Sequence, residues 1–266
     1  MNRIGSHLFH FSLTASDDTP SASVDKLFDI LHEDGDLLVV NKPAGLVCHP
    51  TKGDERSSLI GRMRLHLGPV GQPHLINRLD RETSGLVIAA KHPEAARELG
   101  RIWETRAVRK EYLAIVHGHL RDGQGLIDAP LGKDDRSRVA IKDCVRPDGA
   151  AAQTEFWVER RLSRLEQSAS AFTLLRVVPR TGRKHQIRIH LAHIGHAIVG
   201  DKIYGGDEDL YLALVEDRLT EEQRARLILP HQALHAAAVQ FCWHQREVSF
   251  CASPEPWFEA FARGYA

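Results

Sequence analysis

Residues 77–86 read Asn77-Arg78-Leu79-Asp80-Arg81-Glu82-Thr83-Ser84-Gly85-Leu86, and the apolar run GLVIAAK follows at 85–91. The run has the length and content of a buried strand. The residues before it crowd charges and hydroxyls around one Leu and one Gly, so they form a loop that delivers the chain into that strand. A loop held by a rigid sheet is where reactive groups tend to sit. Spacing alone favours a plain turn built from Thr83, Ser84 and Gly85 with its charges in solvent.

Outward from this loop the chain alternates between strand and helix patterns. Residues 36–43 are apolar and β-branched until Pro43 stops them, which predicts a strand leaving into the turn Pro43-Ala44-Gly45. Residues 57–67 and 93–104 are predicted helices, the second with Pro93 at its first turn. Strands are expected over 109–116, 123–132, 138–142, 154–159 and 172–178. A helix is expected over 184–194, with Ile187, Leu191 and Ile194 on one stripe, and a second, more acidic one over 215–229. A strand pair at 234–242 and 247–250 and a short helix near Phe258 close the chain. Strands mostly follow strands, so the expected class is α+β with a mixed, mostly antiparallel sheet. Residues 1–25 read as a tail, and 26–266 as one catalytic domain.

The 266 residues suffice for a buried core, and 42% hydrophobic with 26% charged is ordinary for a globular protein. No apolar run reaches the length of a membrane span, and the N-terminus lacks the apolar segment of a secretion signal. Cys48, Cys144, Cys242 and Cys251 form no CxxC pair, so neither a disulfide framework nor a zinc site is expected and the cytoplasm is the natural compartment. The 35 basic and 35 acidic residues cancel, which argues mildly against a phosphate-rich partner. The charges are nevertheless segregated. Between Gln167 and Gly200 lie Arg176, Arg180, Arg183, Lys184 and Arg188 and no acid, whereas seven acids fall between Asp207 and Glu222. Either block could simply be a solvated face.

The second informative segment runs Pro179-Arg180-Thr181-Gly182-Arg183-Lys184-His185-Gln186-Ile187-Arg188-Ile189-His190-Leu191. It starts at a strand end and enters a helix that Thr181 could cap, gathering several donors at an N-terminus that favours anions. A helix with a basic exposed face accounts for the same residues. Taken together, NRLDRETSGL and VPRTGRKHQIRIHLAHIGHAIVGD resemble the two signatures of the RluA-type pseudouridine synthases. Weaker matches occur in the right order at ILHEDGDLLVVNKPAGLVCHP, VRKEYLAIVHG and QALHA, so the resemblance covers about residues 30–240. The family often has His where Asn77 stands, and Asn77 is given no catalytic role. No additional RNA-binding module of the S4 type fits into residues 1–25, so RNA contacts are expected mainly from the catalytic domain.

The resemblance implies the pseudouridine synthase fold, with helices flanking the sheet and a central RNA-binding cleft. It implies isomerisation of uridine in structured RNA, ribosomal or transfer, and makes Asp80 the essential carboxylate. Such a group either attacks C1′ or removes a proton from C2′. Both routes need an ionised Asp, which has a pKa of about 3.9 in water and is at risk of protonation when buried beneath a base. The resemblance places an arginine at Arg183 to hold the charge, so loss of Arg183 is expected to impair turnover more than RNA binding. Tyr112 matches the family's active-site tyrosine, which would stack on the flipped base; a core strand tyrosine is its ordinary reading. Arg78 would fill the vacated space or hold flanking phosphates, or else form a structural salt bridge. The reaction involves no redox or hydrolysis, so no cofactor is expected. RNA is the expected partner, a stem-loop for example, and a monomer the expected state.

Two other readings compete. His231 and His235 have the spacing of a zinc helix, but Gln232 stands where that motif needs Glu and the flanking residues read as a strand; no metal site is expected. A non-catalytic RNA-binding module on the same fold would tolerate loss of Asp80, yet Asp80, Tyr112 and Arg183 are all present.

Overall fold

The computed structural model describes residues 28–50, 55–69, 71–164 and 170–264. The expected tail over 1–25 lies outside them. In chain order the elements are β1 (Asp29–Glu33), β2 (Leu37–Lys42), α1 (Leu59–Leu67), β3 (His74–Leu75), β4 (Ser84–Ala90), α2 (Pro93–Glu104), β5 (Arg109–His117), β6 (Gln124–Asp128), β7 (Leu131–Lys133), β8 (Asp143–Val145), β9 (Gln153–Arg164), β10 (Ser170–Pro179), α3 (Gln186–His193), α4 (Glu208–Val215), α5 (Glu221–Leu227), β11 (Leu234–Trp243), β12 (Arg246–Cys251) and α6 (Pro256–Arg263).

Ten strands form one sheet in the order β1-β2-β4-β11-β5-β10-β9-β6, with β3 paired to β4 and β12 to β11. The β4–β11 junction is parallel, and the other pairings in this sheet are antiparallel. The α+β class and mixed, mostly antiparallel sheet expected from the sequence are therefore observed. The parallel junction is short, matching His235 to Ser84 and Ala236 to Gly85. It joins two apolar cores. One gathers β2, β4, α1 and α2 around Leu38, Val40, Met63, Ile88 and Leu99; the other gathers β5, β10, α3 and α6 around Ile115, Leu175, Leu191, Phe258 and Phe261. Tyr112 packs against both.

Close backbone approach at the junction dictates its residues. A Cβ on Gly85 would lie 2.3 Å from the carbonyl oxygen of Ala236, and Gly85 has φ +111°, so a side chain is excluded on both counts. Ser84 and His235 bridge the junction at 2.9 Å between Oγ and Nδ1, while His235 Nε2 is 3.0 Å from the Ala252 carbonyl. Both ring nitrogens of His235 are thus engaged, and the residue lies in a strand rather than on a helical turn shared with His231. That geometry disposes of the zinc-helix spacing.

Three sequence expectations are corrected. The predicted strand 138–142 is a turn, and the strand comes afterwards as β8, because the hairpin closes against Glu208, whose carboxylate accepts from Ser137, the Arg138 amide and Lys142. The predicted helix 215–229 is realised only as α5, because α4 ends at Val215 and the chain turns until the Thr220 capping box starts α5. Thr181 does not cap α3; its hydroxyl donates to Gln186 Oε1 and accepts from the Gln153 amide.

Burial pulls the His235 imidazole down to about 4, against the opposing bond to Ala252. The unfolded chain takes up this proton near pH 6.5, whereas the folded chain resists it until about 4. The stability contribution is therefore complete above pH 6.5 and is lost as pH falls towards 4, by about 3 kcal/mol. Urea titrations across this window are expected to show a shallower acid loss for His235→Gln than for wild type. An identical slope would mean that His235 titrates normally.

Candidate active site

The loop before β4 is held from beneath by Lys42, which is fully buried. Its ammonium donates to three carbonyls, those of Pro43 (2.9 Å), Leu46 (2.9 Å) and Arg81 (3.1 Å), and so ties the Pro43-Ala44-Gly45 turn to the Asp80 loop. Burial pulls its pKa down to about 8, with Cys48, Glu255 and Asp80 supporting the charge. Asn77 clamps the same loop onto β4, its amide donating to Leu86 O and accepting from Ile88 N. Glu82 pairs with Lys202 at 2.8 Å and Thr83 accepts from Gln232 at 2.6 Å. The loop thus has almost every polar anchor satisfied, and Asp80 is left facing a cleft.

The cleft is lined by Arg78, Asp80, Lys110, Tyr112, Arg183 and Arg188, together with Thr181, Gly182 and His185. Its enclosed volume is about 110 Å³, and it opens to solvent at the mouth. Arg188 Nη1 donates to Asp80 Oδ2 at 2.8 Å. The rest of the same guanidinium forks onto Asp201, Nε to Oδ2 at 2.7 Å and Nη2 to Oδ1 at 2.8 Å. Asp201 Oδ1 also accepts the backbone amides of Ile203 and Tyr204. Arg188 and Asp201 are 5% and 0% exposed at the side chain, whereas Asp80 is 31% exposed. A bidentate, planar fork of this kind fixes orientation as well as charge. Burial alone would push the Asp201 carboxyl up, but the Arg188 charge and hydrogen bonds hold it below the usual range.

The expectation that Arg183 is the charge partner of Asp80 is therefore corrected: Arg188 fills that place. Arg183 is exposed at the rim, its Nε donating to the Ala151 carbonyl at 3.2 Å. The cause is local folding. Gln186 Oε1 accepts the Arg183 amide and the Thr181 hydroxyl, while Gln186 Nε2 donates to Gln153 O and Thr154 Oγ1. This curls residues 181–185 over the cleft mouth and leaves Arg188, a turn further on, pointing inward. Every residue from Gln186 to Leu191 is buried, so α3 has no basic exposed face there. The one sequence signal for this is an arginine set between Ile187 and Ile189.

Tyr112 stands at the centre of the sheet, opposite Val177 on β10 and Ala236 on β11. Burial and the Asp80 charge push its hydroxyl up to about 12, so it is neutral at physiological pH. Arg78 is exposed and forms no ion pair among the described residues, which removes the structural salt-bridge reading. Lys110, which the sequence reading passed over, lies half-buried at the same rim without a carboxylate partner among the described residues. Also missed were His185 and Tyr204, whose side chains meet at 2.9 Å beside Asp80.

The cleft thus holds a carboxylate clamped on one oxygen by Arg188, with Tyr112 and the cations Arg78, Lys110 and Arg183 lining the same space. A family model described as RNA pseudouridylate synthase matches residues 36–193, and the chain belongs to this family. Among relatives, an uncharacterized RNA pseudouridine synthase of Aquifex aeolicus (strain VF5) is 40% identical over 185 residues, covering 66% of this chain and 56% of the relative. Ribosomal large subunit pseudouridine synthase D of Nitrosomonas europaea (strain ATCC 19718 / CIP 103999 / KCTC 2705 / NBRC 14298) is 36% identical over 233 residues, covering 85% of this chain and 62% of the relative. The chain thus spans somewhat more than half the length of the curated relatives it matches. Human RNA Pseudouridylate Synthase Domain Containing 4 has the same fold, with a TM-score of 0.67 and 27% identity over 89% of this chain and 92% of that one.

Removing one member of a buried, hydrogen-bonded ion pair typically costs about 3–5 kcal/mol. Asp201→Asn, which keeps the shape and removes the charge, is expected to lower stability by about 3 kcal/mol in urea unfolding. A midpoint equal to that of wild type would show that Arg188 does not depend on Asp201.

Proposed function

We propose that the chain isomerises uridine to pseudouridine in RNA, with Asp80 as the reacting carboxylate. The observation that carries this reading is the division of labour between the two oxygens of Asp80. Oδ2 is fixed by Arg188, while Oδ1 accepts no hydrogen bond among the described residues and is the oxygen left for chemistry. The isomerisation breaks the N1–C1′ bond, turns the base and forms the C5–C1′ bond, with one proton lost from C5 and one taken up at N1. The carboxylate either takes C1′ covalently and returns it or removes the C2′ proton and restores it, and neither course consumes a co-reactant. Tyr112 would present its ring to the flipped base, a contact worth about 1–3 kcal/mol in single-strand complexes. Arg78, Lys110 and Arg183 would hold the flanking phosphates of the splayed strand. The name of the Nitrosomonas relative makes ribosomal large-subunit RNA the substrate class to test first, and the cytoplasm is the compartment proposed for it.

Mapping of pseudouridine in total RNA, with and without the protein, identifies the target. Asp80→Asn is expected to reduce product formation by about 10³-fold or more while RNA binding persists. Undiminished product from that variant would refute the assignment. The exposed position of Arg183 reverses the expectation held for it from sequence. Arg183→Ala should weaken RNA binding and reduce the salt dependence of log K by about one phosphate contact, with kcat changed little. A loss confined to kcat would return Arg183 to the chemistry.

A further inference from the structure

His185 sits at the mouth of α3 with φ +55°, a left-handed conformation that only a few non-glycine residues adopt. Its ring is 8% exposed and faces Asp80, with Nε2 3.7 Å from Oδ1. On the other side, Nδ1 lies 2.9 Å from the Tyr204 hydroxyl. Which nitrogen carries the proton follows from counting donors. The Tyr204 oxygen accepts the backbone N–H of Asp143 at 3.3 Å. Its single hydrogen has only one acceptor among the described residues, which is His185 Nδ1. The opposite tautomer would leave that hydroxyl hydrogen unpaired in the interior. Nδ1 therefore accepts, and Nε2 carries the hydrogen towards Asp80. Burial and the neighbouring Arg188 charge pull the imidazole down to about 4, so it is a neutral donor.

At 3.7 Å the Nε2–H and Oδ1 are too far apart for a direct hydrogen bond. A single oxygen fits within hydrogen-bond distance of both. It must accept from Nε2–H and donate to Oδ1, which a water can do in the free protein and a hydroxyl of a bound nucleotide can do in its place. Uracil carbonyls only accept, and the 3′ and 5′ oxygens of an internal nucleotide are esterified. Among the atoms of a bound nucleotide next to the C1′ and C2′ that Asp80 must reach, the 2′-hydroxyl alone meets the requirement. We propose that His185, oriented by Tyr204, is the residue that binds the 2′-hydroxyl of the target ribose against Asp80 and so selects ribose over deoxyribose at the reacting position. The 2′-hydroxyl is both donor and acceptor, and it is what separates RNA from DNA at any single site. The inference rests on uridine in RNA being the substrate. It adds the reading of one sugar atom by named side chains.

The test uses two versions of an RNA stem-loop carrying the mapped uridine, or of a short single-stranded oligoribonucleotide with one central uridine if mapping finds none. One has ribouridine and the other 2′-deoxyuridine at that position. Kd is measured by fluorescence anisotropy, and single-turnover rates are added where product forms. Wild type is expected to favour the ribo form by about tenfold or more. His185→Gln, which keeps an N–H near the Nε2 position, should retain this ratio within about threefold. His185→Asn suits the left-handed backbone better but falls short of Asp80, and should lower the ratio about tenfold. Tyr204→Phe, which keeps the ring and frees the tautomer, should lower it in the same direction by a smaller factor. Equal ratios in wild type and His185→Asn, or an Asn variant that outperforms Gln, would overturn the proposal and leave His185 a backbone-shaping residue. The Kd ratio does not depend on turnover, so it decides the role of His185 even if no pseudouridine forms and the isomerase reading fails.

Discussion

One guanidinium organises the site. Arg188 is shared between a carboxylate with no exposure, Asp201, and one that faces the cleft, Asp80. Two of its three nitrogens satisfy Asp201, and the third is committed to Asp80. A buried ion pair is weak evidence for stability in general, and its value here is geometric. Asp201 fixes the rotamer of Arg188 through the amides of Ile203 and Tyr204, so the position of Asp80 is set by backbone rather than by flexible side chains. The group of three carries one net negative charge, and that charge resides where substrate can reach it.

The same logic explains why the site lies at the parallel junction of the sheet. Asp80 comes on the loop into β4, Tyr112 on β5 and Arg188 on the helix after β10. They meet because β11 runs between β4 and β5, parallel to one and antiparallel to the other. Gly85 lets β4 approach β11 without a side chain in the way, and Lys42 holds the loop on the far side through three carbonyls. Neither residue needs to touch substrate for the placement of Asp80 to depend on it.

Sequence carried the site unevenly, for physical reasons. Asp80 and Tyr112 stand in motifs whose order along the chain is specific, and both line the cleft. Arg188 was obscured because a charged residue flanked by Ile187 and Ile189 looks, in one dimension, like the polar face of an amphipathic helix. Only the tertiary packing of α3, which buries the helix from Gln186 to Leu191, turns it inward. Tyr204 and Asp201 were illegible for a similar reason: each matters through a partner that lies elsewhere in the chain. The strand order was equally beyond reach, since nothing local in Leu234–Trp243 says that it inserts between β4 and β5.

Charge shows the same contrast between sum and arrangement. Zero net charge argues mildly against a polyanionic partner. The structure shows where the acids are consumed. Glu208 and Asp209 pair with Lys142 and Arg138 on the β7–β8 hairpin, Asp207 with Arg226, and Glu82 with Lys202. The bond from Lys142 and the Ser137 hydroxyl hold the Glu208 carboxyl down at about 2, so that internal pair persists over the whole physiological range. What the cleft presents after this pairing is Arg78, Lys110 and Arg183, none with a carboxylate partner among the described residues. A polyanion approaching the cleft meets that local field within about a Debye length, roughly 8 Å at physiological salt, and distant acids already paired with their own cations contribute little to it. The Asp207–Asp209 end of the acidic block therefore acts as scaffold. It fastens α4 to the hairpin whose Asp143 amide anchors Tyr204, and through Tyr204 it reaches the ring that faces Asp80.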